Sequence, residues 1–166
     1  MKFRSFLFGI WLCLAVVGLL VATRADSKTY RVKFVIAHDV DTFRIDRMAF
    51  DDQMQIRIEG VNGPELDGAQ CPEERGAAIA GRDFLNALGA QSSAVILPNP
   101  KKDKFGGRWR SKKMRFVVNG EKVDPAAAII AAGHGVEYHG EKRDPLFWCA
   151  RFGVAVQPVN LLDQIR

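Results

Sequence analysis

The strongest constraint on the fold is a change of hydrophobic period before the midpoint of the chain. Before the change, apolar and polar residues alternate, which predicts strands at residues 30–37, 42–45 and 53–59. After it, apolar residues recur at helical spacing from Pro72, and Gly89 is predicted to be the C′ residue of that helix. The chain is therefore expected to begin with strands and to continue into a long helix.

Two further strands are predicted after this helix, at residues 94–97 and 115–118. A second helix is predicted at 126–132 behind an Asp-Pro cap, and a third begins near Asp144 and ends at Gly153. Three strands, a helix, two strands and then helices form the element order of an OB-like barrel. The predicted fold class is α+β and mainly β: a five-stranded OB-like barrel with appended helices.

Residues 1–25 are interpreted as a signal peptide. They combine a basic start, an uncharged apolar run over residues 6–21 and a small residue, Ala25, at the expected cleavage point. An uncleaved membrane anchor is the alternative, because the apolar run is near the lower length that spans a bilayer. Residues 26–166 would then form one exported domain, periplasmic or secreted. Its net charge is +2 instead of +5, because the leader contains three basic and no acidic residues.

The cysteine content favours a disulfide in an exported domain. Cys71 and Cys149 are the two cysteines that follow the leader, and an even pair in an exported protein is expected to be oxidised. Two cysteines make a poor zinc site, and the three histidines show no ligand spacing around them.

Three short motifs carry the chemistry. The first, at residues 39–42, places two carboxylates one residue apart; the second, at 57–65, has an arginine on a strand, an Asn-Gly-Pro turn and a glutamate. The third, at 103–108, places an arginine on a glycine loop within a segment, 101–115, that holds eight basic residues and one acid. Carboxylates for a hard cation, two arginines for a phosphate and a glutamate for a base are the parts of a metal-assisted phosphodiesterase.

In this order the motifs resemble those of the thermonuclease family, the staphylococcal-nuclease-like OB-fold nucleases, over roughly residues 32–138. The segment from 140 to 149 also resembles the tail of exported bacterial members. The resemblance implies a calcium site, two phosphate-binding arginines and a glutamate that positions or deprotonates the attacking water. The implied residues are Asp41, Asn62 and the carbonyl of Gly63 for calcium, Arg57 and Arg108 for phosphate, and Glu65 for the water.

Three residues depart from the family pattern. Asn62 replaces a calcium-ligating aspartate, Val40 replaces a glycine, and Gly107 is an extra residue before Arg108. The asparagine matters most, because calcium affinity follows the charge of the ligands. The basic segment is expected to track phosphates through residues such as Lys104, with a solvated loop as the alternative for most of its charges. Tyr138 is expected to stack on a base, with packing in the barrel as the alternative.

The sequence thus predicts an exported, monomeric, calcium-dependent endonuclease acting on DNA or RNA. One alternative is an OB-fold module that holds single-stranded nucleic acid without cutting it, which Asn62 favours. A weaker alternative is an interaction domain of the cell envelope that uses only the fold. Metal-dependent cleavage would separate the first reading from the other two.

Overall fold

The computed structural model describes residues 28–46, 54–104 and 107–153. Over these ranges the protein is α+β, with eleven short strands in three sheets and three helices. One sheet is antiparallel and has four strands, in the order β1 (Thr29–Val32), β6 (Ser92–Pro98), β9 (Arg115–Val118) and β10 (Glu121–Val123).

The second sheet has five strands and carries the first two motifs. Its order is β2 (Phe34–Ala37), β3 (Thr42–Ile45), β4 (Gln55–Arg57), β8 (Trp109–Arg110) and β7 (Lys101–Lys102). The pairing of β4 with β8 is parallel and the other pairings are antiparallel. A third, two-stranded sheet pairs β5 (Gly60–Asn62) with β11 (Val136–Tyr138). The strands of the described ranges do not close into a single barrel.

The predicted strands at 42–45, 94–97 and 115–118 are confirmed. The prediction of a single strand at 30–37 was wrong in one respect, because two strands form there and belong to different sheets. They are separated by Lys33, whose amide donates to the Asp46 carboxylate at 2.9 Å. The strand predicted at 53–59 is shorter, because only Gln55–Arg57 pairs; Gln53 lies outside the described ranges. The five strands that the sequence did not predict have two or three residues each, too few to show a period.

Helix α1 (Pro72–Gln91) begins where it was predicted, with proline at its start and two acids in its first turn. Its predicted end was wrong. Gly89 is buried inside the helix, where a Cβ atom would lie 2.3 Å from the ring of Phe34. The helix ends instead at Gln91 and is capped by Ser92, whose hydroxyl donates to the Gly89 carbonyl at 2.8 Å. The absence of a side chain at Gly89 therefore allows α1 to pack closely against β2.

Helices α2 (Pro125–Ala131) and α3 (Phe147–Arg151) confirm the two later predictions. Asp124 caps α2 by accepting hydrogen bonds from the amides of Ala126 and Ala127 at 3.0 and 3.3 Å. Gly133 follows α2 with a φ of +77°, and Gly153 follows α3 with a φ of +74°, conformations that favour glycine.

The core contains three phenylalanines, Phe34 and Phe43 from the five-stranded sheet and Phe116 from the four-stranded sheet. The ring of Phe43 lies 5.3 Å from that of Phe34 and 5.4 Å from that of Phe116, and Phe43 and Phe116 are fully buried. Burying such a side chain contributes about 1.5–3 kcal/mol. This cluster therefore packs the four-stranded and five-stranded sheets against each other.

Val40 occupies a gap made by two glycines. It is 1% exposed, and a Cβ atom on Gly63 would lie 1.7 Å from its Cγ1, while one on Gly81 would lie 2.8 Å from its Cγ2. Real Cβ atoms do not approach so closely, so both positions need glycine while Val40 is present. The valine thereby locks the first motif to the Asn-Gly-Pro turn and to α1.

The predicted disulfide is confirmed: Cys71 and Cys149 are bonded, with their Cα atoms 6.0 Å apart, and so join the start of α1 to α3. Closing this loop contributes up to about 4 kcal/mol in the chain-entropy account. The leader and the segment from Val154 onward lie outside the described ranges. Among the described helices, none is both long enough and apolar enough to cross a membrane.

Candidate active site

The first motif forms a turn between β2 and β3, and Asp41 is buried at its end. The Asp39 carboxylate accepts a hydrogen bond from the Asp41 amide at 3.0 Å, so the two acids are not side by side on an extended strand. The Asp41 carboxylate accepts from the Thr42 hydroxyl at 3.0 Å and forms an ion pair with Arg57. Asp41 is 4% exposed, so the pair is largely removed from water.

Arg57 joins Asp41 to Asn62. It lies on β4 directly opposite Thr42, so the sheet register places its side chain beside the first motif. One terminal nitrogen, Nη1, donates to Asp41, and the other, Nη2, donates to the Asn62 side-chain oxygen at 3.3 Å. The guanidinium is therefore held at both ends, which fixes its plane and leaves other donors available.

Asn62 is buried, and both ends of its amide are engaged. Its oxygen accepts from Arg57, and its Nδ2 donates to the carbonyl of Gly63 at 2.8 Å. Both groups implied as calcium ligands by the resemblance, the Asn62 oxygen and the Gly63 carbonyl, are thus hydrogen-bonded to neighbouring residues. A cation at these two groups would require both hydrogen bonds to be exchanged.

Burial raises the pKa of Asp41 to about 7, and repulsion from Asp39 adds to the effect. The attraction of Arg57 and the hydrogen bond from Thr42 oppose this shift but are the smaller effects. A bound divalent cation would offset the repulsion between the carboxylates of Asp39 and Asp41. Carboxylate oxygen atoms also suit a hard ion such as Ca²⁺. Asp41, with Asp39 beside it, is therefore the part of the predicted ligand set that fits a cation.

Glu65 lies at the edge of the same cluster. Partial burial raises the pKa of its carboxyl group, and repulsion from Asp39 is the next cause. Arg57 and, more weakly, Arg143 lower the pKa. Glu65 therefore lies close enough to the first motif and to Arg57 for their charges to act on its carboxyl group.

Glu74 is a site residue that the sequence analysis missed. It is 2% exposed, and its two carboxylate oxygens accept from the amides of Glu65 at 3.2 Å and Gln70 at 2.7 Å. The loop that carries Glu65 is therefore tied to the first turn of α1. A glutamate at the third position of a helix commonly reaches back to amides that precede the helix, and this spacing after Cys71 could have indicated it.

Glu74 also lies against the disulfide, with its Oε2 atom 3.8 Å from the Cys149 sulfur. The ligand atoms of Cys71, Glu74 and Cys149 all lie within 4.8 Å of one another. The two sulfurs are bonded to each other, however, and a disulfide offers no thiolate to a metal. This cluster is therefore a structural junction between α1, α3 and the Glu65 loop.

Arg108 lies on the hairpin formed by β7 and β8, away from these contacts. Its Nε donates to the Asp103 carboxylate at 3.2 Å, and its carbonyl accepts from the Asp103 amide at 2.8 Å. No hydrogen bond or ion pair within the described ranges joins it to Asp41, Arg57 or Glu65. Lys104 is exposed on the same hairpin, whose tip, residues 105–106, lies outside the described ranges.

Tyr138 lies near the cluster because β11 pairs with β5, which ends at Asn62. In this register Val136 is opposite Asn62 and Tyr138 is opposite Gly60. The Arg143 guanidinium stacks on the Tyr138 ring, 4.9 Å from its centre. The aromatic ring predicted to contact a base is therefore covered by an arginine that the sequence analysis did not single out.

No protein-family model matches the chain, and no curated protein matches it significantly. The resemblance to the thermonuclease family therefore rests on the three motifs and their order.

Proposed function

We propose that this protein is an exported, calcium-dependent nuclease that hydrolyses phosphodiester bonds in DNA or RNA. The observation that carries the proposal is the convergence of Asp41, Arg57 and Glu65 in one cluster. The first two form a buried ion pair, and the third is coupled to them electrostatically. These residues lie on three separate segments of the chain, and their meeting is what metal-assisted phosphodiester chemistry requires.

In this proposal Arg57 binds the scissile phosphate. Its plane is fixed by Asp41 and Asn62 before substrate arrives, so little reorganisation is needed when charge develops on the phosphate oxygens. A guanidinium suits this role because its donors can bind two phosphate oxygens in one plane.

Glu65 would act as the base. A carboxylate with a raised pKa accepts a proton from water more readily than an ordinary one, provided that it is ionised at the working pH. Glu74 holds the backbone beside it and so would set its position. Asp41, with Asp39, would hold the cation, and a bound Ca²⁺ would supply charge neutralisation and an acidified water.

We also propose that the two larger sheets together form an OB-like barrel that stays partly open. Strands β1 and β2 are separated by Lys33 alone and belong to the four-stranded and five-stranded sheets, so one bent strand links the two sheets. The phenylalanine cluster fills the space between them. Strand β8 of the basic hairpin pairs with the strand of Arg57, with Arg110 opposite Arg57. In this proposal the lysines and arginines of the hairpin contact the phosphates of the nucleic acid beside the site.

The second candidate is a module that binds nucleic acid without cutting it. The observation that favours it is Asn62, which completes a hydrogen-bonded network with Arg57 and Gly63 without any cation. Such a protein would show salt-sensitive binding of single strands through the basic hairpin.

The two candidates are separated by Glu65→Gln, with Asp67→Asn as the matched control on the same loop. Under the nuclease proposal, Glu65→Gln lowers kcat by about 10²–10⁴-fold, because the base is lost, and Asp67→Asn retains wild-type turnover. Equal rates for the wild type and Glu65→Gln would remove the glutamate from the mechanism. Binding without any cleavage by the wild type would favour the second candidate.

A further inference from the structure

Arg108 is poorly placed to be the second arginine that is expected at a phosphodiester site. That side chain is paired with Asp103, whose own side chain is 10% exposed, and the backbones of the two residues are also hydrogen-bonded. In the described part of the chain, only the Nε of the Arg108 guanidinium is engaged, but a phosphate bound by its remaining donors would lie beside the Asp103 carboxylate, and the two negative charges would repel each other. Turning the whole guanidinium away from Asp103 would leave that carboxylate uncompensated, which is costly.

Arg143 is held in a different way. Its guanidinium lies over the rings of Tyr138, Phe147 and Trp148, at 4.9, 5.5 and 5.9 Å from their centres. Within the described ranges, no carboxylate lies within 4.0 Å of it. Aromatic faces orient the guanidinium plane without using its N–H groups, so these donors remain available to a ligand.

The segment that carries Arg143 is anchored to the site at both ends. At one end, β11 pairs with β5, whose last residue is Asn62. At the other end, Cys149 is bonded to Cys71, three residues before the glutamate that holds the Glu65 loop. Arg143 interacts electrostatically with Glu65, Asp41 and Arg57. It therefore lies within electrostatic range of the acidic cluster.

We propose that Arg143, rather than Arg108, is the second arginine that binds the scissile phosphate. This inference rests on the proposed nuclease function and names a further catalytic residue for it. Arg57 and Arg143 would bind different oxygens of the phosphate and stabilise the charge that develops as water attacks. The aromatic cluster would keep Arg143 in place when no substrate is bound.

The test compares Arg143→Ala, Arg143→Lys, Arg108→Ala and Arg151→Ala in the purified protein. Arg151→Ala is the matched control, because Arg151 also lies 5.9 Å from the Trp148 ring centre but is exposed at the end of α3. The measurements are kcat and KM for cleavage of single-stranded DNA and of RNA, together with the thermal unfolding midpoint.

We expect Arg143→Ala to lower kcat by about 10²–10³-fold, the loss typical of one transition-state donor, with the unfolding midpoint close to that of Arg151→Ala. Arg143→Lys should keep the charge but recover little kcat, because an ammonium group cannot bind two oxygens in one plane. Arg108→Ala should change kcat no more than the control does. The proposal is overturned if Arg108→Ala loses activity while Arg143→Ala does not, or if Arg143→Lys has wild-type kcat.

Failure of the proposed function is distinguished by a binding measurement that needs no cleavage. A fluorescent single-stranded oligonucleotide is titrated with each variant in the presence of chelator at several salt concentrations. Loss of one phosphate contact should reduce the slope of log K against log salt by about 0.7 for a single strand. If the wild type never cleaves, a reduced slope for Arg143→Ala still supports the phosphate contact. A slope equal to that of Arg151→Ala overturns it.

Discussion

Asn62 places a neutral amide where the resemblance implies a carboxylate. The amide satisfies Arg57 and the Gly63 carbonyl together, with its oxygen toward the arginine and its nitrogen toward the carbonyl. A carboxylate at this position could still accept from Arg57 but could not donate to Gly63. The asparagine therefore both removes a charge and occupies a backbone carbonyl that a cation would need.

From this we predict that Asn62→Asp tightens calcium binding. Two unit charges about 4 Å apart interact by about 4 kcal/mol at an effective dielectric constant of about 20, and hydration reduces the net gain. The variant should bind Ca²⁺ more tightly by calorimetric titration and cleave at lower calcium. Asn119→Asp, in the exposed turn after β9, adds the same charge away from the site and should leave the affinity unchanged. A wild type already saturated at low calcium, with no gain in the variant, would contradict this account.

The Asp41 carboxyl group also makes stability depend on pH. Its pKa is raised to about 7 in the folded protein, chiefly by burial. A raised pKa means that the folded state holds a proton that the unfolded chain releases more easily. The stability that this group contributes is therefore complete below the ordinary pKa of 3.8 and is lost progressively as the pH rises from there to about 7.

Accordingly, the metal-free wild type should lose stability relative to Asp41→Asn as the pH rises from about 4 to about 7, with little further loss above that. The measurement is urea denaturation in chelator at several pH values, with the exposed Asp83→Asn as control. Parallel pH profiles for the wild type and Asp41→Asn would show that the buried carboxyl group does not titrate in this range.

At the scale of secondary structure, the N-terminal half of α1 is the element that assembles the site. Cys71 bonds to α3, Glu74 holds two amides of the Glu65 loop, and Gly81 receives Val40 from the first motif. One helix thus positions three segments that are far apart in sequence. Substitutions at the N-terminus of α1 should therefore affect the site more than substitutions on its exposed face.

We predict that Glu74→Gln destabilises the protein by about 1–3 kcal/mol, because a buried amide replaces a carboxylate that accepts two N–H groups. Its exposed neighbour provides the control, Glu73→Gln, which should be neutral. Hydrogen exchange should show faster exchange of the Glu65 and Gln70 amides in Glu74→Gln alone. Unchanged protection of both amides would mean that the carboxylate does not hold the loop.

The elements that the sequence predicted are those with enough residues to show a pattern. The helices and the strands at 42–45, 94–97 and 115–118 have clear periods or caps. Strands β5 and β11, which place Tyr138 opposite Gly60, have only three residues each. Gly89 was predicted to end a helix, because its role depends on Phe34, a residue 55 positions earlier. Arg143 was missed for the same reason, since its partners are assembled only by the fold.

At the scale of the whole molecule, the disulfide bears on the compartment in which the protein folds, and the basic hairpin bears on the proposed attraction of nucleic acid. The disulfide is typical of proteins that fold in an oxidising compartment and is consistent with the predicted leader. Without that leader the net charge would be only +2, so attraction of nucleic acid would depend on the local concentration of lysine and arginine over residues 101–115.

The central claim is that this domain cleaves nucleic acid with the help of a cation. The most direct measurement incubates purified residues 26–166 with single-stranded DNA and with RNA, across a calcium titration and with a chelator. We predict cleavage that requires high calcium, stops with chelator and is lost in Arg57→Ala. Salt-sensitive binding without cleavage of either substrate at any calcium concentration would contradict the claim.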